Sequence, residues 1–319
     1  MGKLVSVLVP VYNAERYVSR LMRSLFGQTY GNVEYVFVDD GSTDGSVAAI
    51  ERAVTASPLH AARTTIVTHP KNKGVAATRN TLLDNAHGDY ILFVDSDDYI
   101  SPDAVAKLVE TAESTGADIV RQNYYELRGG GGEPLLRTFP PVTDREGALR
   151  ALVAGSDMVD ALWLLLVRRA LVTKHRLRFP DNINVCEDWV MSVKLYFYSA
   201  KTVSVPEAYY YYDRGNAGSL TARRAFAHEE GMKAAVAVYN FLAEQGVMGT
   251  YKDAFCLRVL KWKQCLILSR DMLDVDKYIN FYPASNTYWR KIRYGRRERL
   301  LFWLAEHHAA ALIKLLYKL

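Results

Sequence analysis

The sequence predicts an α/β chain: a mostly parallel central sheet with helices on both faces, followed by a helical C-terminal extension. Three observations predict it. Short apolar runs alternate with segments of helical periodicity from Val5 to about Asn123, the pattern of consecutive βα units. The runs are apolar at nearly every position, as strands covered on both faces must be. From about Ala225 the reading turns helical and stays so to Leu319.

The elements follow in order. "VSVLVPVYN", Val5 to Asn13, reads as a short buried strand stopped by Pro10. Glu15 to Phe26 places Val18, Leu21, Met22 and Leu25 on one helical face. "VEYVFVDDGSTDGS" is a second buried strand, a turn of acidic residues and glycine, and a helix from about Ser46. "TTIVTH" is a third strand, Val75 to Ala86 a helix, and "DYILFVD" a fourth strand. Ser101 and Pro102 suit the start of a helix through about Thr115. "ADIVRQN" is a fifth strand, "RGGGGEP" a hairpin or linker, and Tyr209 to Tyr212 a strand with aromatic faces. Helices are expected over Ala225 to Gln245 and Tyr251 to Asp271, with a last one running to Leu319.

Composition bounds the function. Of 319 residues half are hydrophobic, enough for about two domains and a large core, which argues against disorder. Cys186, Cys256 and Cys265 form no CxxC and argue against a disulfide framework or zinc site; a reducing cytosol fits them. The seven histidines show no metal-ligand spacing. No signal peptide and no membrane span are expected. Of the net charge of +5, residues 286–319 carry +6, with eight Lys or Arg against two Glu, leaving −1 for the rest. That distribution argues against a chain built as a whole for nucleic acid.

Ligands of such sheets bind outside the carboxyl ends of the strands. "VPVYN", "VDDGSTD" and "VDSDD" end strands one, two and four, so Asp39, Asp40, Asp95, Asp97 and Asp98 are expected to share one crevice. Clustered carboxylates repel one another unless a cation sits among them. Hard cations such as Mg²⁺ and Mn²⁺ take oxygen ligands, one or two from protein and others from substrate phosphates. A dinucleotide fold would need Gly-x-Gly-x-x-Gly after strand one, and "VPVYNAER" has no glycine; there is no P-loop either.

At this point the chain resembles a family 2 glycosyltransferase with the GT-A fold. The matching stretches are "SVLVPVYNAERYV", "VDDGSTDGS", "NKGVAATRN", "FVDSDDYISPD" and "CEDWVMSVKLYF", in the family's order from about Val5 to Ala200. The resemblance implies an α/β nucleotide-binding sandwich over residues 1–224, with a donor-binding half of about 1–123, an acceptor half of about 124–224, and a helical extension over 225–319. It implies Asp97 as direct ligand of Mn²⁺ or Mg²⁺, and Asp95 at the ribose or the metal shell. Asp40 would accept from the base N–H, Pro10 and Tyr12 would line the base pocket, and Arg79 would lie near the diphosphate. In "CEDW", Asp188 would be the general base and Glu187 its neighbour. "RGNAGSLT" resembles a loop of bacterial surface-polysaccharide members, which would bring Arg214 over the diphosphate.

The function implied is metal-dependent, inverting transfer of a sugar from a nucleotide-sugar, a UDP-sugar by the fit of Asp40 and Tyr12 to a pyrimidine. The acceptor would be a hydroxyl of a glycan or lipid-linked glycan in surface polysaccharide synthesis. A nucleotidyltransferase making sugar nucleotides, or a catalytically silent scaffold, stand as alternatives. The tail adds six basic residues between Arg290 and Arg299 and then Leu300, Leu301, Leu304, His308, Ala311, Leu312, Leu315 and Leu319 at helical spacing. Trp289, Trp303 and Tyr317 accompany them. Peripheral contact with an anionic membrane, at the cytoplasmic face, is the expectation; packing of the Leu face on the protein itself is the other reading.

Overall fold

The structure is a computed structural model that describes residues 2–128, 133–155, 161–215 and 224–317. The first half holds β1 (Val5–Val11), α1 (Glu15–Phe26), β2 (Val33–Asp39), α2 (Ser46–Thr55), the single turn α3 (Pro58–Ala61), β3 (Thr64–Thr68), α4 (Val75–Asp84), β4 (Tyr90–Phe93), β5 (Tyr99–Ile100) and α5 (Ala104–Thr115). Then come β6 (Ile119–Leu127), β7 (Leu135–Arg137), α6 (Arg145–Ala154), β8 (Leu165–Arg168), α7 (Arg169–Lys174), α8 (Glu187–Tyr198) and β9 (Thr202–Asp213). The C-terminal helices are α9 (Arg224–Glu244), α10 (Met248–Lys263), α11 (Cys265–Leu268), α12 (Val275–Asn280), α13 (Arg296–Glu306) and α14 (Ala310–Leu316).

The strands lie in the order β3-β2-β1-β4-β8-β6-β9-β5, with β7 on β6. From β3 to β4 every pair is parallel, as the alternation of strand and helix requires. The register sets Val11 beside Asp39 and Leu8 beside Phe93, so the carboxyl ends of β1, β2 and β4 open on one edge. β1 runs through Pro10 rather than stopping at it. Leu8 O accepts from Val94 N at 3.0 Å, so the N–H that Pro10 lacks would point to the β4 side, where β4 has already ended.

Beyond β4 the sheet becomes mixed. β8 pairs antiparallel with both β4 and β6, while β6 and β9 are parallel. "LLLV" carries no alternation that would separate strand from buried helix, and only pairing with its neighbours decides it. β6 and β7 are antiparallel, as the hairpin reading of "RGGGGEP" expects; Gly129 to Gly132 lie outside the described residues.

One hydrophobic core runs from Val5 on β1 to Val259 on α10, and α9 and α10 enter it through Ala234, Val238, Phe241 and Phe255. A second core gathers Leu260, Ile267, Val275, Tyr278, Trp289, Phe302 and Ile313. At the end of α10, the buried Lys263 Nζ lies within hydrogen-bond reach of the carbonyls of Tyr278 (3.0 Å) and Phe281 (2.8 Å) and of Asn286 Oδ1 (2.5 Å). The tail is not one helix. His308 adopts φ 56° and separates α13 from α14, so that Ile313 turns back into the second core. The expected apolar face divides accordingly: Leu301, Leu304 and Trp289 are buried, whereas Leu300, Trp303, Leu312 and Leu315 face solvent. Among the described residues no helix is long and apolar enough to cross a membrane.

Candidate active site

The acidic turn after β4 is built by its neighbours. Asp98 N donates to Asp95 O at 3.1 Å and closes the turn. The Tyr210 hydroxyl accepts from Asp95 N at 3.1 Å and donates to Asp98 Oδ2 at 2.6 Å. Asp213 N donates to Asp98 Oδ1 at 2.7 Å. Asp98 is thus buried and spent on structure, and burial, reinforced by Asp97 and Asp95, pushes its carboxyl well above the usual range. Arg20 Nη2 braces the outside, donating to Asp97 O at 2.6 Å and to Asp213 Oδ2 at 2.7 Å. Asp97 and Asp95 remain half-buried at the rim.

Facing this turn is the head of α8. Cys186, with φ 71°, is its N-cap, and Glu187 and Asp188 form the first turn, where the helix dipole favours negative charge. Arg79 of α4 joins the two sides. Its Nη2 lies 3.3 Å from Asp95 Oδ1, and its Nη1 donates to Glu187 Oε1 at 2.5 Å and meets Asp188 Oδ1. The rings of Phe93 and Phe179 flank the guanidinium at 5.8 and 5.7 Å. Burial alone would lower the Arg79 pKa, but Glu187 and Asp95 outweigh it and raise it. Burial raises Asp95, with Arg79 opposing and Glu187 adding to the rise. Asp188 Oδ2 is 3.5 Å from Leu162 N.

On the far side, Tyr12 is 50% exposed and free to meet a flat ligand, with Pro10 half-buried before it. Asp40 lies where expected but is held by protein. It accepts from Lys73 N (2.9 Å), Gly74 N (2.8 Å) and His69 Nδ1 (2.8 Å). Gly74, at φ 91°, leaves no room for a Cβ against Asn184, and Gly41, at φ 70°, none against the backbone of Lys71 and Asn72. Asp39 keeps one buried oxygen, Oδ1, without a hydrogen-bond partner. Arg214 stands apart from the Arg79 cluster, its Nη1 3.6 Å from Glu126 Oε2; the rest of its loop, 216–223, including Ser219, lies outside the described residues.

Of the residues singled out from sequence, Asp95, Arg79, Glu187 and Asp188 come together in one cluster, with Asp97 on the same turn. Tyr12, Pro10 and Asp40 line the same sheet edge. The sequence reading missed His69, Tyr210, Arg20 and Glu126. Only the alternation in "YYYYD" carried a trace of one of them, since Tyr210 and Tyr212 must share a face.

The cluster suits a hard cation by its chemistry. Its donors are carboxylate oxygens, with Asp97 and Asp95 at the rim. Asp95, Glu187 and Asp188 converge on Arg79, and among the described residues no three His, Cys, Asp or Glu side chains are placed to hold a metal ion, so a cation there would draw most of its shell from phosphates and water.

Comparison with known proteins bears on the fold and the family. The family model described as Glycosyl transferase family 2 matches residues 6–168. EpsH of Bacillus subtilis (strain 168), a glycosyltransferase by name, is 32% identical over 224 residues, which cover 69% of this chain and 63% of EpsH. The chain therefore spans less than two thirds of that relative. The crystal structure of S. aureus TarS 1–349 in complex with UDP-GlcNAc matches with TM-score 0.64 and 19% identity, covering 92% of this chain and 93% of that one. The mannosyltransferase PcManGT of Pyrobaculum calidifontis, in complex with GDP-Man and Mn²⁺, matches with TM-score 0.55 and 18% identity over 100% of this chain and 88% of that one. At these identities the structural matches establish the fold, GT-A.

Proposed function

The chain belongs to glycosyltransferase family 2, and from that premise we propose that it transfers a sugar from a UDP-sugar to a hydroxyl of a glycan or lipid-linked acceptor, with inversion, in the synthesis of a surface polysaccharide. The observation that carries the reading is Arg79, buried between Asp95 of the acidic turn and the Glu187–Asp188 pair. It sets a donor-side carboxylate turn against a second carboxylate pair across one small crevice, which is what a displacement at an anomeric carbon requires. The UDP-GlcNAc held by TarS and the Mn²⁺ held with GDP-Man by PcManGT support a nucleotide-sugar donor and a divalent cation.

In this reading Tyr12 stacks on the base beside Pro10, and stacking of this kind contributes about 1–3 kcal/mol. Asp40, 3% exposed and already accepting from Lys73, Gly74 and His69, fixes the wall of the base pocket, and the base N–H would have to share Oδ2 with Gly74 N. Asp97, with Asp95, would hold Mn²⁺ or Mg²⁺, and the cation when bound neutralises charge on the diphosphate. Arg79 is the counter-charge of Asp95, Glu187 and Asp188 beside the diphosphate, and Arg214, which stands apart from that cluster, is assigned to the diphosphate by the resemblance of its loop. Asp188 takes the proton from the acceptor hydroxyl as its oxygen bonds to the anomeric carbon. The bond from that carbon to the phosphate oxygen breaks, and UDP leaves on the opposite face with the electron pair. Glu187, bonded to Arg79, keeps Asp188 and the acidic turn in fixed relation. The exposed Leu300, Trp303, Leu312 and Leu315 beside the basic run from Arg290 to Arg299 support peripheral docking on the inner, anionic face of a cell membrane, where a lipid-linked acceptor would be met.

The experiment is calorimetric titration of UDP with and without Mn²⁺ against the wild-type chain and Asp97→Asn. Metal-dependent binding is expected in the first and absent in the second, with unchanged circular dichroism. An Asp97→Asn chain that binds UDP with Mn²⁺ as well as wild type does would overturn the metal assignment.

A further inference from the structure

We propose that Arg128, Arg137 and Arg214, gathered around the buried carboxylate of Glu126, form a phosphate-binding site beside the acidic turn. The site stands on its own geometry; the proposed transfer reaction enters only for the origin of the phosphate.

Glu126 lies near the end of β6 and is 4% exposed. Arg137 grips it through Nη2 at 3.1 Å to Oε1 and 3.2 Å to Oε2, and through Nε at 3.3 Å to Oε2. Arg128 Nε donates to Oε1 at 3.3 Å, and Arg214 Nη1 lies 3.6 Å from Oε2. Burial alone would raise the Glu126 carboxyl, but the hydrogen bonds from Arg137 and Arg128 hold it below its usual range. Three guanidiniums share this one carboxylate, and among the described residues none of them has another ion-pair partner.

The cluster therefore carries an excess of two positive charges. Its guanidiniums stay accessible, with side-chain exposures of 67%, 39% and 60% for Arg128, Arg137 and Arg214. One guanidinium is enough to neutralise one buried carboxylate, so two of the three are in excess of what Glu126 requires. A buried glutamate that aims three planar forks at one place leaves their outer N–H groups for a ligand with several oxygens. Phosphate matches both the fork geometry and the charge.

The position supports a role in the reaction. In the β6–β9 register Glu126 faces Tyr212 and Leu127 faces Asp213, whose N–H holds Asp98. One peptide separates that contact from Arg214. On the other side, Trp163 stacks on Tyr212 at 5.5 Å and on Tyr210 at 4.4 Å, and its neighbour Leu162 lies against Asp188. Trp163 and Tyr210 are buried, so this stack joins the Asp188 side of the site to the arginines through the core, and a phosphate carried by the acceptor is one source of the ligand. The donor's own diphosphate is the other source.

The test titrates inorganic phosphate at low ionic strength into the full chain, the single variants Arg128→Gln, Arg137→Gln and Arg137→Lys, and the Arg128→Gln/Arg137→Gln double variant. Wild type is expected to bind phosphate, each Gln variant about 10-fold more weakly for the loss of a charge-assisted bond. Arg137→Lys, which keeps the charge and loses the fork, should fall between. Phosphate binding that persists under saturating UDP and Mn²⁺, with UDP affinity unchanged in Arg137→Gln, assigns the site to acceptor phosphate. Displacement by UDP, with weakened UDP binding in Arg137→Gln, assigns it to the donor. The proposal is overturned if wild type binds phosphate no better than the double variant. If that happens while metal-dependent UDP binding is intact, the transferase reading stands and only this site falls.

Discussion

Replacing Arg79 by Met should destabilise the chain more than any other single change at the crevice. The guanidinium is 4% exposed and faces three carboxylates, whose side chains are 27% (Asp95), 8% (Glu187) and 20% (Asp188) exposed. Met fills the aliphatic volume between Phe93 and Phe179 but leaves those carboxylates facing one another without a counter-charge. Removing one partner of a buried ion pair costs about 3–5 kcal/mol. Partial exposure of Asp95 and Asp188 moderates the loss, so about 4 kcal/mol is a fair expectation. At about 2–4 °C per kcal/mol for a domain of this size, the midpoint should fall by roughly 10 °C. Arg79→Lys restores the charge without the fork, and a single ammonium cannot bridge three acids, so it should recover about half. The assay is thermal unfolding by circular dichroism in the presence of a chelator, so that adventitious cations do not substitute for the arginine. A midpoint for Arg79→Met within about 2 °C of wild type would refute the argument that Arg79 is the counter-charge holding the two halves of the crevice together.

Asp188→Asn should bind UDP and Mn²⁺ as wild type does and transfer sugar at least ~10²-fold more slowly; a rate above about a tenth of wild type would end its role as base. Lys263 has a pKa lowered by burial to about 7, so between about pH 7 and 10 the unfolded chain holds a proton that the folded chain has released. Its contribution to stability is present at high pH and is lost as pH falls toward 7. Urea unfolding should therefore show wild type gaining on Lys263→Met by up to about 1.4 kcal/mol per pH unit across that window, and parallel curves would contradict it. For membrane docking, truncation before Asn286 is the wrong perturbation, because it removes Trp289, Phe302 and Ile313 from the second core. Trp303→Ser with Leu315→Ser changes only the outer face. Flotation with anionic vesicles should be strong for wild type, weak for this pair and weak for neutral vesicles; equal flotation of both chains would show that the tail is not the anchor.

What the sequence determined by itself is everything set by short-range chemistry. Near-continuous apolar runs alternating with period-3.6 segments decided the parallel half, because burial of a strand on both faces, or of a helix on one, is a property of about ten consecutive residues. The ends of those strands carried "VPVYN", "VDDGS" and "VDSDD", and parallel strands in register bring their ends to one edge, so the location of the crevice followed. Glu187 and Asp188 were legible as acids at the head of a buried helix.

Tertiary structure decided the rest. Arg79 bonds Glu187 across 108 positions, Tyr210 bonds Asp98 across 112, and Glu126 collects arginines from β7 and from the end of β9. No local pattern encodes such partners. The antiparallel entry of β8 and the break at His308 are of the same kind. An apolar run such as "LLLV", or a leucine face such as that of the tail, is compatible with several partners, and which one it finds depends on surfaces that exist only once the rest of the chain has packed. Charge obeys the same rule: a carboxylate or a guanidinium is announced by its letter, but whether it is buried, neutralised or left over for a ligand depends on how many opposite charges the fold brings within reach.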